Sequence, residues 1–458
     1  MVIAMKKVFL FLVAAIAFVG VDTASAQSRS SYFMEGSYFR NNLNPALAPT
    51  RGYIALPGLS GVGVNLSNNF LSIDNFVYQR DNQLVTALHS SVSADEFFGK
   101  LPSLGKINMD TKVNILGVGF YAKRLYLTFG VNTNLSTDMA MSMDVFKALK
   151  TLGNDVYDLG NTALQANAYL DAYVGTSFFV NDNVRVGAKL KFLVGLASLD
   201  AQFSRLSANV TPDAVSAAMN GSLRVNGFFV DDDFDGSSIN MAQIMGSFKN
   251  YGLAVDLGAE VRLLDDQLKV SAAVTDLGFI KWKGGRYSTS GSISGDFAFK
   301  GMNFATSEMD AEYNFNIVEN GVSDKGYSSM VNCSLNVGAE YSILNNHIAF
   351  GLLSHTKFCN TMSYSELVAS VNFRPTNWIT ATFSHTFMNK NRPGIFGFAL
   401  NVHPAGINIF AGLDFIGTKW VMSPTINGVQ FPLPRYMKSM NAYVGVGFNF
   451  ARPRYFRD

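Results

Sequence analysis

From Tyr251 to Lys283 the chain reads YGLAVDLGAEVRLLDDQLKVSAAVTDLGFIKWK. Its odd positions from Leu253 to Leu263 are Leu, Val, Leu, Ala, Val and Leu; the even ones between are Ala254, Asp256, Gly258, Glu260 and Arg262. A strict period of two puts an apolar row on one face of an extended strand and polar groups on the other. After Leu264-Asp265-Asp266-Gln267 the alternation resumes with Leu268, Val270, Ala272 and Val274 apolar. A four-residue turn there sets Leu263 opposite Leu268 and brings both apolar rows to one face. Arms of about ten residues are longer than soluble strands usually run and match what a tilted strand needs to cross a bilayer.

The same unit recurs along the chain. Hairpin-like pairs flank Lys123-Arg124, Asn181-Asp182-Asn183, Asn345-Asn346, Arg374-Pro375-Thr376-Asn377 and His403-Pro404-Ala405-Gly406, residues suited to tight turns. A lone strand near Gly52 to Leu66 and a last one, Met440 to Phe450, bring the expected total to about fourteen. The other connections are mostly long, at about 67–111, 135–166, 197–250, 281–329 and 417–440. Short turns at one end and long loops at the other mark an outer-membrane barrel: an all-β, transmembrane antiparallel β-barrel. Residues 292–300 and 311–318 read as loop structure above the membrane, and 144–165 as a short loop helix or two.

Composition agrees. Charged residues are 15%, Phe numbers 38, and mean hydropathy is +0.14, yet no apolar run after the N-terminus reaches the 18 residues of a membrane helix. Alternation explains how apolar residues can abound without collecting in one run. A net charge of +2 gives no reason to expect a nucleic-acid partner. Lys6 and Lys7, the apolar run Val8 to Val19 and Ala24-Ser25-Ala26 read as a signal peptide over 1–26. Residues 27–58, with Asn44, Pro45 and Ala46, read as an N-terminal hatch or plug, and 59–458 as the barrel with long extracellular loops.

Chemical constellations are sparse. Lumen-facing Asp256, Glu260, Arg262, Lys189, Lys191, Glu340, His355 and Lys357 read as mutually neutralising, with Glu260 diagonal to Lys269. Asp231, Asp233 and Asp235, followed by Gly236, have the spacing of a calcium loop, but Ala242 stands where the bidentate Glu belongs, so a solvated acidic loop is the simpler reading. Ser354-His355-Thr356 and Ser384-His385-Thr386 lack an orienting acid, so no enzyme is expected. Cys333 and Cys359 fall on opposite faces of one hairpin, so no disulfide is expected. Gly-x-Gly pairs such as Gly117/Gly119 and Gly445/Gly447 lie within strands and make room in a curved wall. Past Val274, Asp276 takes the apolar register while Leu277 and Phe279 change face. A bulge near Thr275-Asp276 with Gly278 beyond it would explain this, marks a candidate side opening, and places Trp282 at an outer aromatic girdle.

Asn44-Pro45-Ala46-Leu47-Ala48 before the first strand resembles the N-P-A segment of the FadL-like outer-membrane transport family. Val274-Thr275-Asp276-Leu277-Gly278-Phe279-Ile280-Lys281-Trp282 is similar to a strand ending V-x-D-L-G-F-I-K-W that recurs in an uncharacterised family of Bacteroidota outer-membrane proteins, FadL-like in kind. The resemblance implies a fourteen-stranded barrel in the outer membrane of a Gram-negative bacterium, with an N-terminal hatch and passive diffusion of hydrophobic small molecules. Membrane lipids are the expected surroundings, and no cofactor is expected beyond the calcium that Asp231, Asp233 and Asp235 could hold. Related barrels serve protein secretion and surface attachment, so a secreted or surface protein is the alternative partner. Unlike many such barrels, the chain runs on past Phe450 through Ala451 to Asp458.

Overall fold

The computed structural model describes residues 29–450 apart from 59, 81–82, 152–154, 159, 211–214, 228–247, 286–287, 304–307, 323–324, 361–362, 388–393, 418–419, 423–431 and 435–438. The signal-peptide reading, the candidate calcium loop at Asp231, Asp233 and Asp235, and the C-terminal extension therefore lie outside the described residues.

Fourteen antiparallel strands close into a barrel. They are β1 (in two pieces, Gly52–Ala55 and Val62–Asn68), β2 (Leu104–Ala122), β3 (Leu125–Ser142), β4 (Ala163–Phe179), β5 (Val184–Val210), β6 (Tyr251–Leu263), β7 (Leu268–Trp282), β8 (Cys333–Ile343), β9 (Ile348–Phe358), β10 (Tyr364–Thr376), β11 (Ile379–Phe387), β12 (Ile395–Val402), β13 (Asn408–Gly417) and β14 (Ser439–Phe450). Each pairs with its neighbour in sequence, and β1 closes the ring on β14 through Gly52↔Phe450 and Val62↔Val444. Leu263 stands opposite Leu268 and Cys333 opposite Phe358, as the alternation implies; both cysteines are free.

Two turns show why short polar residues sit there. Leu264, Asp265 and Asp266 all have positive φ (55°, 53° and 67°), and so do Leu344, Asn345 and Asn346 (52°, 53° and 68°). Asp and Asn tolerate the left-handed region better than other side chains. Each turn is closed by a backbone bond of 3.1 Å, from Gln267 N to Leu264 O and from His347 N to Leu344 O.

Burial is inverted relative to a soluble protein. Leu257, Phe383 and Leu190 are 57%, 58% and 53% exposed, whereas Lys191, Asp256, Glu340 and Asn372 are at most 2% exposed. Water outside would penalise that apolar belt and leave no reason to bury the charges, so the surrounding medium is hydrocarbon. No helix among the described residues is long and apolar enough to cross a membrane; this chain crosses with strands.

Several strands outrun the bilayer. β2 begins at Leu104 rather than Lys112, β3 reaches Ser142 rather than Asn134, and β5 runs 27 residues to Val210 rather than ending at Leu196. Beyond the lipid neither face need be apolar, so the alternation that marks the membrane portion fades while the ladder continues. Val215–Gly227, Ser288–Asn303 and Glu308–Val322 pair in that order onto the upper part of β5 and continue its sheet. The first long connection holds two short helices, Ile73–Phe76 and Ala94–Phe98, and the second has one, Asp144–Lys150.

Candidate functional site

The lumen is filled from within by the chain's own N-terminal segment. Two 3₁₀ turns, Arg29–Phe33 and Tyr38–Asn42, and the stretch through Pro49 are almost wholly buried. Proline, asparagine and a positive-φ glycine (Gly36, φ 85°) break any regular ladder here, so the segment folds on its surroundings. Ser37 caps the second turn by accepting from Phe39 N at 3.2 Å.

Asn44, Pro45 and Ala46 form the tightest part of this seat. Asn44 Oδ1 accepts from Ala46 N at 2.9 Å, which closes a local turn. Its Nδ2 donates to Tyr32 Oη at 3.2 Å and toward Ala259 O of β6 and Ala272 O of β7 at 3.4 and 3.5 Å. The wall supplies donors to buried carbonyls of the segment: Asn336 to Leu43 O (2.9 Å), Arg374 to Phe33 O (3.0 Å), Asn408 to Gly36 O (2.8 Å) and Arg185 to Ala48 O (3.2 Å).

Side chains of the segment sit over wall glycines. A Cβ on Gly338 or Gly351 would lie 2.6 Å from the ring of Tyr32 or Phe33, and one on Gly447 would lie 2.6 Å from Tyr38. One on Gly187 would come within 2.5 Å of Ala46 N, and one on Gly258 within 2.9 Å of Pro45 Cδ. Of the glycines read from sequence as easing curvature, Gly447 also forms a socket. Tyr38 stacks on Tyr53 at 4.3 Å and meets Phe410 edge-on at 5.2 Å, and Phe39 stacks on Tyr443 at 5.5 Å.

Charge locks both ends. Arg29 pairs with Glu366 of β10 and donates to Ser439 of β14 at 2.9 Å. Glu35, near the short turns, pairs with Lys269 and accepts from Asn346 Nδ2 at 2.8 Å. Burial opposes its ionisation, but Arg374, Lys269 and Arg40 outweigh that and hold its carboxyl well below the usual carboxylate range. Lys269 therefore serves Glu35 and not the expected Glu260, whose partner is Arg262 at 2.8 Å. A third piece of chain inside the lumen competes for charges that wall-to-wall register alone would pair. Burial, with Arg51 nearby, lowers the His403 imidazole, which backs Gly36 from the β12–β13 turn, to about 4.

At Thr275-Asp276 the ladder shifts register between Val255 and Leu257, and Asp276 has φ 59°. Asp276 turns inward: its carboxylate accepts from Lys191 at 2.5 Å, and its N–H donates to Asp256 Oδ1 at 2.7 Å. Lys191 also pairs with Asp256 at 2.7 Å. Leu277 and Phe279 then point outward. On the other side β7 pairs with β8 only as far as Thr275↔Ser334, and pairing resumes with the short strand Tyr327–Met330 at Phe279↔Met330. Between them the wall is held by Val331 N to Gly278 O at 3.0 Å.

A further expectation needs correction. Trp282 is 1% exposed and points inward, where its Nε1 donates to Ser329 Oγ at 2.8 Å and its ring stacks on Tyr327, so it belongs to no outer girdle. The bulge reverses parity, and even positions beyond it face the lumen. The two Ser-His-Thr stretches lie on different faces of the wall: His355 is buried on Asn336 Oδ1 at 2.7 Å, while His385 sits in the outward row between Phe387 and Phe396. They share no site.

Over residues 45–414 the chain matches a family described only as a family of unknown function, DUF5723. No curated protein matches it. Among solved structures it is similar to the toluene transporter TbuX of Ralstonia pickettii, with 9% identity, 94% of this chain and 96% of that one covered, and a TM-score of 0.40. It is also similar to a FadL homologue of Pseudomonas aeruginosa (10% identity, 91% and 94% covered, TM-score 0.40) and to the toluene transporter TodX of Pseudomonas putida (11%, 93% and 95%, 0.36). Identities and TM-scores this low carry nothing beyond that likeness.

Proposed function

We propose that this chain, which belongs to the family of unknown function just described, is a barrel of a Gram-negative outer membrane that takes up hydrophobic or amphipathic small molecules passively. Residues 29–50 are its gate, the hatch that Asn44, Pro45 and Ala46 anchor. The observation that carries this reading is the seat itself. The wall is recessed by glycines at the places where the N-terminal segment lies, and only non-covalent contacts hold that segment beyond its junction with β1. The lumen of a fourteen-stranded barrel is too wide for wall side chains alone to fill. Here the filling is a separate piece of chain, continuous with the wall at one end, that can move without unzipping a strand.

Thr275, Asp276 and Gly278 mark the proposed side exit to the membrane. The break in pairing beside them leaves a single backbone bond from Val331 where an unbroken ladder would have a row. The second reading is a barrel that binds a secreted or surface protein through its outer structure. It is favoured by the sheet of Val215–Gly227, Ser288–Asn303 and Glu308–Val322 standing beyond the membrane span.

Mass spectrometry of gently extracted protein separates the two. Co-purifying hydrophobic or amphipathic small molecules support uptake, whereas an empty barrel that retains a protein partner sinks it.

A further inference from the structure

We infer that a polar latch lying across the lumen beyond the tip of the N-terminal segment sets the class of molecule this barrel passes: solutes with a charged or hydrogen-bonding end, and not pure hydrocarbons. This rests on the uptake reading above and narrows it.

The latch joins strands that are not neighbours in the wall. Lys357 of β9 is ion-paired with Asp110 of β2, although β9 is flanked by β8 and β10, and β2 by β1 and β3. That contact spans the interior. Asn332, just before β8, donates across the same gap to Ser136 Oγ at 2.7 Å and Asp138 Oδ2 at 3.2 Å, both on β3. Asn65 of β1 donates to Tyr364 Oη of β10 at 2.9 Å. Arg29, in the first 3₁₀ turn of the segment, lies 6.0 Å from the centre of the Tyr364 ring, so gate and latch meet in series along one path.

Between the two sides of the latch lies a cavity of about 40 Å³, bordered by Asp110, Lys357 and Asp276 among others. Thr111 also borders it, and its buried hydroxyl has no hydrogen-bond partner among the described residues. A space of this size with polar walls suits a few waters or the head of one small polar group. Asp276 belongs equally to the wall bulge, so the cavity adjoins the proposed side exit.

Parting the latch leaves the buried Lys357 and the partly buried Asp110 without their ionic partners unless something replaces each. A hydrocarbon offers nothing, whereas a carboxylate, amine or hydroxyl end can take up the freed bonds. The tail of an amphipathic molecule would then follow its head toward lipid.

The test is uptake of labelled phenylacetate and labelled toluene by cells carrying the full-length chain in their outer membrane. The expected result is phenylacetate entry raised by about tenfold over cells lacking the protein, with toluene entry unchanged. The variant D110N/K357M, which keeps shape and removes both charges, is expected to lose the phenylacetate gain and admit toluene. Lys357→Arg keeps the charge and should keep the selectivity, which guards against a merely misfolded double variant. Equal entry of both probes through the wild type, or unchanged selectivity in D110N/K357M, overturns the latch and leaves uptake standing. Failure of both probes to enter, even with residues 29–50 deleted, overturns uptake and the latch with it.

Discussion

The socket under Pro45 and Ala46 lends itself to a single-atom test. Gly187 lies in β5 with an ordinary strand conformation, so alanine is unstrained there; in the wall alone it should stabilise by about 0.5–1 kcal/mol through the unfolded chain. In the intact protein the added Cβ would sit within 2.5 Å of Ala46 N, where ordinary contact begins near 3.4 Å. The obstacle is backbone, which has no rotamer to yield, so the segment must shift by about 1 Å. Overpacking of this kind costs about 1–3 kcal/mol, which lowers the ratio of seated to unseated segment by about 5-fold to about 150-fold. The assay is the rate at which Ala48→Cys, in a background with Cys333 and Cys359 replaced, reacts with a membrane-impermeant maleimide. Gly187→Ala should raise that rate by the same factor. Deleting residues 29–43 should abolish the increment, because the rest of the seat has gone. Equal labelling rates with glycine and alanine at 187 would refute the socket.

Two further expectations concern pH and optics. His403 is neutral when folded, with its pKa lowered to about 4 from 6.5, so between those values the unfolded chain binds a proton that the folded one does not. Stability is therefore whole above pH 6.5 and declines as pH falls toward 4, by about 3 kcal/mol at most; denaturant midpoints should follow that profile, and His403→Gln should flatten it. With Trp378 and Trp420 replaced by Phe, Trp282 should emit as a buried indole and resist quenching by brominated lipid chains, whereas strong quenching would return it to the lipid face.

Much of the wall was legible because lipid on one side imposes a rule on every second residue. Leu253 to Leu263 and Leu268 to Val274 obey that rule in sequence and in space. It weakens where polar residues fall on both faces: Asn108, Asp110 and Thr111 belong to β2, but nothing local marks them as strand. The bulge at Asp276 is visible as a change of face, but the inward face of Trp282 follows from the reversed parity beyond it, which height along the strand does not show. The seat of the N-terminal segment was least legible. Asn44 and Gly258, or Tyr38 and Gly447, meet across hundreds of residues, and a glycine in a strand does not announce what lies over it. A lumen-facing register shared by Gly187, Gly258, Gly338, Gly351 and Gly447 was the available signal, and it pointed to something filling the barrel.

The claim that residues 29–50 close this barrel is tested most directly by ion conductance in planar bilayers, comparing the full chain with one lacking those residues. The full chain should stay near the baseline of protein-free membranes, and the shortened one should conduct in discrete, stable steps. Equal conductance of the two proteins, whether both open or both closed, would contradict the account.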